Sequence, residues 1–434
     1  MSAQPDDGKR GLVRAMGRWD LAAVGVNQVI GSGIFVLPAS VAMLVGVPSS
    51  PWPFVLAGVA NTLIVLCFAE VSTRFRKTGG PYLYAREAFG SFVGFEVAWM
   101  LWLTRLASLA ALANALALYL AYFLPGASSG GGRIAVVTVT IGGLALINFL
   151  GVRYGSWTVN FFTVSKLVPL LGFVFVGVFF VDPSRFSGFS ASITPGTGEA
   201  VLLLMFAFGG YELSTLPAGE ARTPRRDVPF ALLTTIAVVC AIFLSVQLVT
   251  VGTLADVASS ETPLADAAAS FLGPAAGVLL AIGGVISIAG SNAGTMLAGP
   301  RVTYAMADRG QLPRFLAHIH ARYRTPDASI WLYAAVAWGL AVSGSFEQMA
   351  KVSAVARLIF YVATCASVPV LRRKGGDVEG FRLPGGALVP VLAVLSSIAI
   401  ILGADRVSLV SGGVALGVGA LLYAAYGRTA APDA

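Results

Sequence analysis

The chain has 434 residues, of which 56% are hydrophobic and only 12% charged, with 50 glycines and a formal net charge of +8. Soluble domains carry about a quarter charged residues, so this composition excludes an ordinary water-soluble fold and points to a bilayer as the solvent. A nucleic-acid binder would gather its basic residues on one folded face, whereas here they fall in the gaps between apolar runs, which excludes that class.

A membrane span needs about 20 mostly apolar residues, and stretches of that length predict twelve transmembrane helices. Residues 1–19 are polar and basic (Lys9, Arg10, Arg14, Arg18), and the apolar run after them is too long for a cleaved signal, so the first span is expected to stay. The spans begin near Asp20, Trp52, Ser91, Arg133, Ser156 and Thr197, then near Pro229, Leu272, Ala328, Lys351, Leu383 and Val407. Two connectors, Tyr82 to Phe89 and Thr303 to Leu316, mix apolar and charged residues at helical spacing and are expected to lie along the membrane surface. No soluble domain fits between spans, so residues 1–434 are expected to form a single membrane domain.

Counting Lys and Arg in alternate loops gives the orientation. Of 29, 22 fall on the side of the N-terminus and of the C-terminal tail, and four (Arg133, Arg185, Lys351, Arg406) on the other. Both termini are therefore expected in the cytoplasm, with the chain multi-pass in the cytoplasmic membrane. The three basic residues left over, Arg105, Lys166 and Arg357, lie within or near spans.

Span 1 is interrupted at Val29-Ile30-Gly31-Ser32-Gly33-Ile34-Phe35 and span 6 at Phe206-Ala207-Phe208-Gly209-Gly210-Tyr211-Glu212. Glycine in a membrane helix often only permits close packing. The two clusters, however, lie five spans apart, so their helices run in opposite directions, and corresponding interrupted helices in inverted halves point to a carrier's midplane site. The pattern predicts inverted five-helix repeats over 20–181 and 197–371, with two appended helices over 383–427. An unwound helix exposes N–H and C=O groups that a zwitterion can satisfy. The N–H groups around Ser32, Gly33 and Ile34 begin a half-helix, where the dipole and free donors favour a carboxylate. The carbonyls ending the first half of span 1, and those around Phe206 and Gly209, suit an ammonium. The expected ligand is an α-amino acid.

Lys166 lies about ten residues inside span 5, or roughly 15 Å from its start, too deep to snorkel with ease. It is expected to face the bundle interior, either as a structural lysine on backbone carbonyls or as a proton carrier. Glu212 and Arg105 are either the halves of a buried ion pair or separate pathway groups. Arg357, near the start of span 10, reads as a snorkelling residue. His318 and His320 have no carboxylate or thiol neighbour at ligand spacing, so no metal is expected. Neither a catalytic cluster nor a ring of pore-lining polar residues stands out, which disfavours an enzyme or a channel.

The run Ile30-Gly31-Ser32-Gly33-Ile34-Phe35 with Pro38, the Gly79-Gly80-Pro81-Tyr82 stretch, and Phe206 to Glu212 leading to Gly219-Glu220 and Pro224 resemble the amino acid-polyamine-organocation superfamily. Ser291-Asn292-Ala293-Gly294, Arg301 and Asp308 to Pro313 continue the resemblance over nearly the whole chain. It implies the inverted-repeat fold of sodium-coupled neurotransmitter transporters and alternating access. It also implies a substrate carboxylate at Ser32 and Gly33, its amine at the carbonyls of Val29, Phe206 and Gly209, and Lys166 in the place of a sodium ion. Thr295 stands where arginine-agmatine exchangers carry a stacking aromatic, and the gating aromatic of span 6 is Phe206 rather than tryptophan. Arg105 is an unusual neighbour for a cationic side chain. The resemblance therefore implies sodium-independent, proton-coupled uptake of a neutral amino acid, with glutamate or aspartate following if Arg105 faces the site unpaired. The alternatives are an amino acid or polyamine exchanger, and a transporter-like sensor that binds without net transport. No cofactor is expected; the partners are the amino acid, protons and the lipid bilayer, with a homodimer left open.

Overall fold

The computed structural model describes residues 16–75, 79–151, 155–375 and 380–427, with side chains of 155–165 and 216–220 left aside. The basic residues Lys9, Arg10 and Arg14 lie outside the described residues. The rest is helical, and no β-strand stands among the described residues. Fifteen α-helices follow in order: α1 Arg18–Val29, α2 Gly33–Val45, α3 Pro51–Ser72, α4 Pro81–Phe89, α5 Ser91–Ala121, α6 Gly130–Leu150, α7 Gly155–Gly177, α8 Pro195–Ala207, α9 Pro224–Thr253, α10 Pro263–Leu272, α11 Pro274–Asp308, α12 Asp327–Ser343, α13 Phe346–Arg373, α14 Leu388–Leu402 and α15 Arg406–Ala425.

Seven of these (α3, α5, α6, α9, α11, α13 and α15) are each long and apolar enough to cross a bilayer, and the bent pair α1–α2 makes an eighth span. The remaining predicted spans are shorter apolar helices or broken ones. In the apolar window of α5, 83% of the residues are buried, against 17% for α15 and 22% for α6, so α5 is central and α6 and α15 are peripheral. Small residues make the centre possible: Ala107, Ala110, Ala111, Ala113, Ala115 and Ala117 are buried along α5, letting α11 and α13 approach its backbone. Lipid tails are as apolar as leucine, so close packing of small residues, rather than water exclusion, holds such helices together.

Three expectations need correction. Thr303 to Leu316 is no separate surface helix: α11 runs unbroken to Asp308, and at 35 residues it is about 50 Å long, well beyond a hydrocarbon core of about 30 Å, so its end projects. Only a short turn, Arg314–Ala317, follows. Helix α10, with Pro263 in its first turn and an alanine run behind it, was not anticipated; it packs on α11. Span 11 starts at Leu388 rather than Leu383, because Arg372 binds the 383–386 segment. Its guanidinium grips both oxygens of Glu70 at 2.6 Å and donates to the Leu383 carbonyl, while the Leu383 N–H donates to Glu70. The Tyr82–Phe89 segment is the helix α4, packed on α5 and α13.

Candidate functional site

The two interruptions meet. Helices α1 and α2 are bent by 47° across residues 30–32, and α8 ends at Ala207 before a tight turn through Gly209 and Gly210 into a 3-10 segment, Tyr211–Glu220. A Cβ on Gly33 would lie 2.5 Å from the Ala207 Cβ, and one on Gly210 would lie 2.8 Å from the Gln28 carbonyl oxygen. Gly210 also has φ +127°, a backbone region that side chains disfavour. Glycine is thus needed at both points for one break to press against the other.

A cavity of about 70 Å³ sits at this crossing. Val29, Gly31, Ser32, Gly33, Phe206, Gly209, Glu212, Thr295 and Arg105 all line it. Ile34 is buried beside it without lining it, and Lys166 stands behind the break of span 1. The N–H groups of Ser32, Gly33 and Ile34 have no backbone partner among the described residues, as the first turn of a helix requires. The Ser32 hydroxyl is buried without a partner as well. Three donors, the N–H groups of Ser32 and Gly33 and the Ser32 hydroxyl, therefore line one wall, with the Ile34 N–H beside it, and the α2 dipole adds a partial positive charge there. Sequence reading missed the remaining lining, which includes Gln28, Thr104, Ser108, Ser291 and Arg357.

The carbonyl ends of the half-helices are each served by a basic side chain from another helix. Lys166 of α7 is 3% exposed, and its ammonium donates to the carbonyls of Asn27 at 2.5 Å and Ile30 at 2.8 Å. Arg357 of α13 donates to the carbonyls of Met205 at 3.2 Å and Phe206 at 3.0 Å. Arg357 therefore does not snorkel. Its guanidinium lies so close over Gly209 that a Cβ there would overlap it, and the Phe206 carbonyl, expected to wait for a substrate amine, already has a donor. Glu212 completes this knot: one carboxylate oxygen accepts from the Gly210 N–H and the Tyr361 hydroxyl, both at 2.9 Å, and the other lies 3.8 Å from Arg357 Nε.

Glu212 thus pairs with Arg357, not with Arg105. Arg105 is 7% exposed, lines the cavity, and makes no hydrogen bond or ion pair among the described residues; its Nε is buried without a partner. His318 has a carboxylate neighbour after all, Asp327 at 2.7 Å, although no group of three His, Cys, Asp or Glu gathers among the described residues.

A second, larger cavity of about 510 Å³ opens at the end of the bundle where α2 finishes, lined in part by Val36, Ser40, Glu261, Phe346 and Glu347. Phe206, on the inner cavity, meets Phe346, on this outer one, edge to face at 5.9 Å. The ring pair stands between the two spaces. Arg133 fixes the rim by donating to the carbonyls of Ala341, Val342 and Gly344 at the end of α12, where Asn114 also donates to Ala341.

Comparison with known proteins adds a family to this geometry. A family model described as amino acid permease matches residues 16–428. The serine/threonine exchanger SteT of Bacillus subtilis is 28% identical over 89% of this chain and 90% of its own length. The methylthioribose transporter of the same organism is 27% identical over 96% of this chain and 94% of its own. Its branched-chain amino acid permease BcaP is 25% identical over 97% and 94%.

Proposed function

We propose, since the chain belongs to the amino acid permease family, that it is a secondary carrier which moves a small α-amino acid across the cytoplasmic membrane by alternating access, without sodium. One observation carries this reading: two broken helices meet at a cavity whose one wall offers free N–H groups and an unpartnered Ser32 hydroxyl to a carboxylate. The carbonyl of Gly209 remains for the amine, and that of Val29, which already accepts from the Gly31 N–H at 2.8 Å, offers only its second lone pair. The cavity, about 70 Å³, is in keeping with a small amino acid.

The reading includes inverted repeats over 20–181 and 197–371. In support, Lys166 is eleven residues past the start of α7 and Arg357 eleven past the start of α13, and each caps the half-helix that opens its own repeat. Lys166 takes the place of a coupling cation and can exchange a proton as its surroundings alternate between wet and dry. The neutral-cargo expectation drew on Thr295 and Phe206 and, in part, on Arg105 pairing with Glu212, and it loses that last support. Saturable counterflow of labelled serine, alanine or aspartate into preloaded proteoliposomes, with choline replacing sodium, tests the reading. Binding without counterflow would leave a sensor, and counterflow that requires sodium would overturn the role given to Lys166.

A further inference from the structure

Three cationic side chains serve the crossing, and one carboxylate answers them. Lys166 and Arg357 are spent on backbone carbonyls, and Glu212 is held by Gly210, Tyr361 and Arg357. Arg105 is left over. It lies fourteen residues into the central helix α5, about 20 Å from its start and so near mid-membrane. A buried guanidinium is stable only when paired and hydrogen-bonded, and its planar fork matches a carboxylate with two parallel donors. It lines the same small cavity as Ser32 and Gly33, whose free N–H groups suit the α-carboxylate.

We propose that the cargo is an acidic amino acid with a short side chain, aspartate-like in size, whose second carboxylate is received by Arg105 while its α-carboxylate lies on the half-helix of span 1. The inference rests on reading the cavity as an amino acid site and adds the class of side chain. Charge supports it: the three basic groups and Glu212 leave the crossing net positive, which an anionic cargo offsets and a neutral one does not. The cavity is small, about 70 Å³, and aspartate is the shorter of the two acidic amino acids.

The test compares L-aspartate with its amide, L-asparagine, which has nearly the same shape and no side-chain charge. Binding to the purified full-length protein is measured by calorimetry, in methanesulfonate buffer and again with added chloride. Wild type should bind aspartate at least about tenfold more tightly than asparagine, the worth of one charge-assisted pair. Arg105→Gln should bring that ratio to about one, and Arg105→Lys should keep part of it. If Arg105→Gln does not fold, the wild-type ratio decides alone. Asparagine binding as well as or better than aspartate overturns the inference and leaves the amino acid reading standing. Chloride strengthening asparagine binding with no preference for aspartate would give Arg105 an inorganic anion as partner and also overturn it. If no amino acid binds, the broader reading fails, and this inference with it.

Discussion

Replacing Arg357 by methionine keeps most of the side-chain volume and removes the guanidinium that ties α13 to the break of span 6. Two carbonyls, Met205 and Phe206, would lose their side-chain donor, and Glu212 would lose the cation 3.8 Å away. An orphaned buried acceptor costs about 1–3 kcal/mol, and stranding one partner of a buried ion pair about 3–5 kcal/mol. Water entering from the cavity offsets part of this, so a loss of about 2–4 kcal/mol is the expected net result. Thermal unfolding of the detergent-solubilised protein, followed by tryptophan fluorescence, reads the change. The sharper test adds Glu212→Gln. If the two charges act as a unit, the double variant should be more stable than Arg357→Met alone, because no unanswered carboxylate remains. Wild-type stability in Arg357→Met, or strictly additive losses in the double variant, would refute the view that this guanidinium and Glu212 hold the break together.

Gly33→Ala should destabilise by about 1–3 kcal/mol through overpacking against Ala207, and adding Ala207→Gly should restore most of the loss in the same unfolding assay. Lys166→Ala should abolish net uptake into proteoliposomes and flatten its pH dependence; stimulation of the wild type by an imposed sodium gradient, or an unchanged pH profile in the variant, would contradict the resident-cation role. Phe346→Ala removes half of the ring pair between the two cavities, so a cysteine placed at Ser32 should react faster with a membrane-impermeant thiol reagent added from that side, and an unchanged rate would contradict the barrier.

Much of this arrangement is legible in the sequence, for a physical reason. A bilayer core lets only apolar helices through, so spans appear as apolar runs. A helix that must break beside another needs glycine at the contact, so Gly33 and Gly210 mark the crossing. Lys166 stood out because its depth has no cheap explanation. Arg357 did not: judged from the nearest helix end, its depth also fits snorkelling, and only the packing of α13 on α8 turns the side chain onto the break. Its depth matches that of Lys166 only once α13 is seen to start at Phe346 rather than near Lys351. Which carboxylate takes which arginine was equally hidden, because Arg105 and Arg357 reach the crossing from different helices and the chain order of residues does not rank their distances to Glu212. Helix α10 escaped because a ten-residue alanine-rich connector is too short for a span.

The central claim is that a small amino acid lies between the two breaks with its carboxylate on the N-terminal turn of α2. A structure of the protein determined with a bound amino acid, L-aspartate first and L-serine second, tests it most directly. The account predicts ligand density in the inner cavity with the α-carboxylate on the N–H groups of Ser32, Gly33 and Ile34. Density confined to the outer cavity beside Val36, Phe346 and Glu347, with the inner one filled only by water, would contradict it.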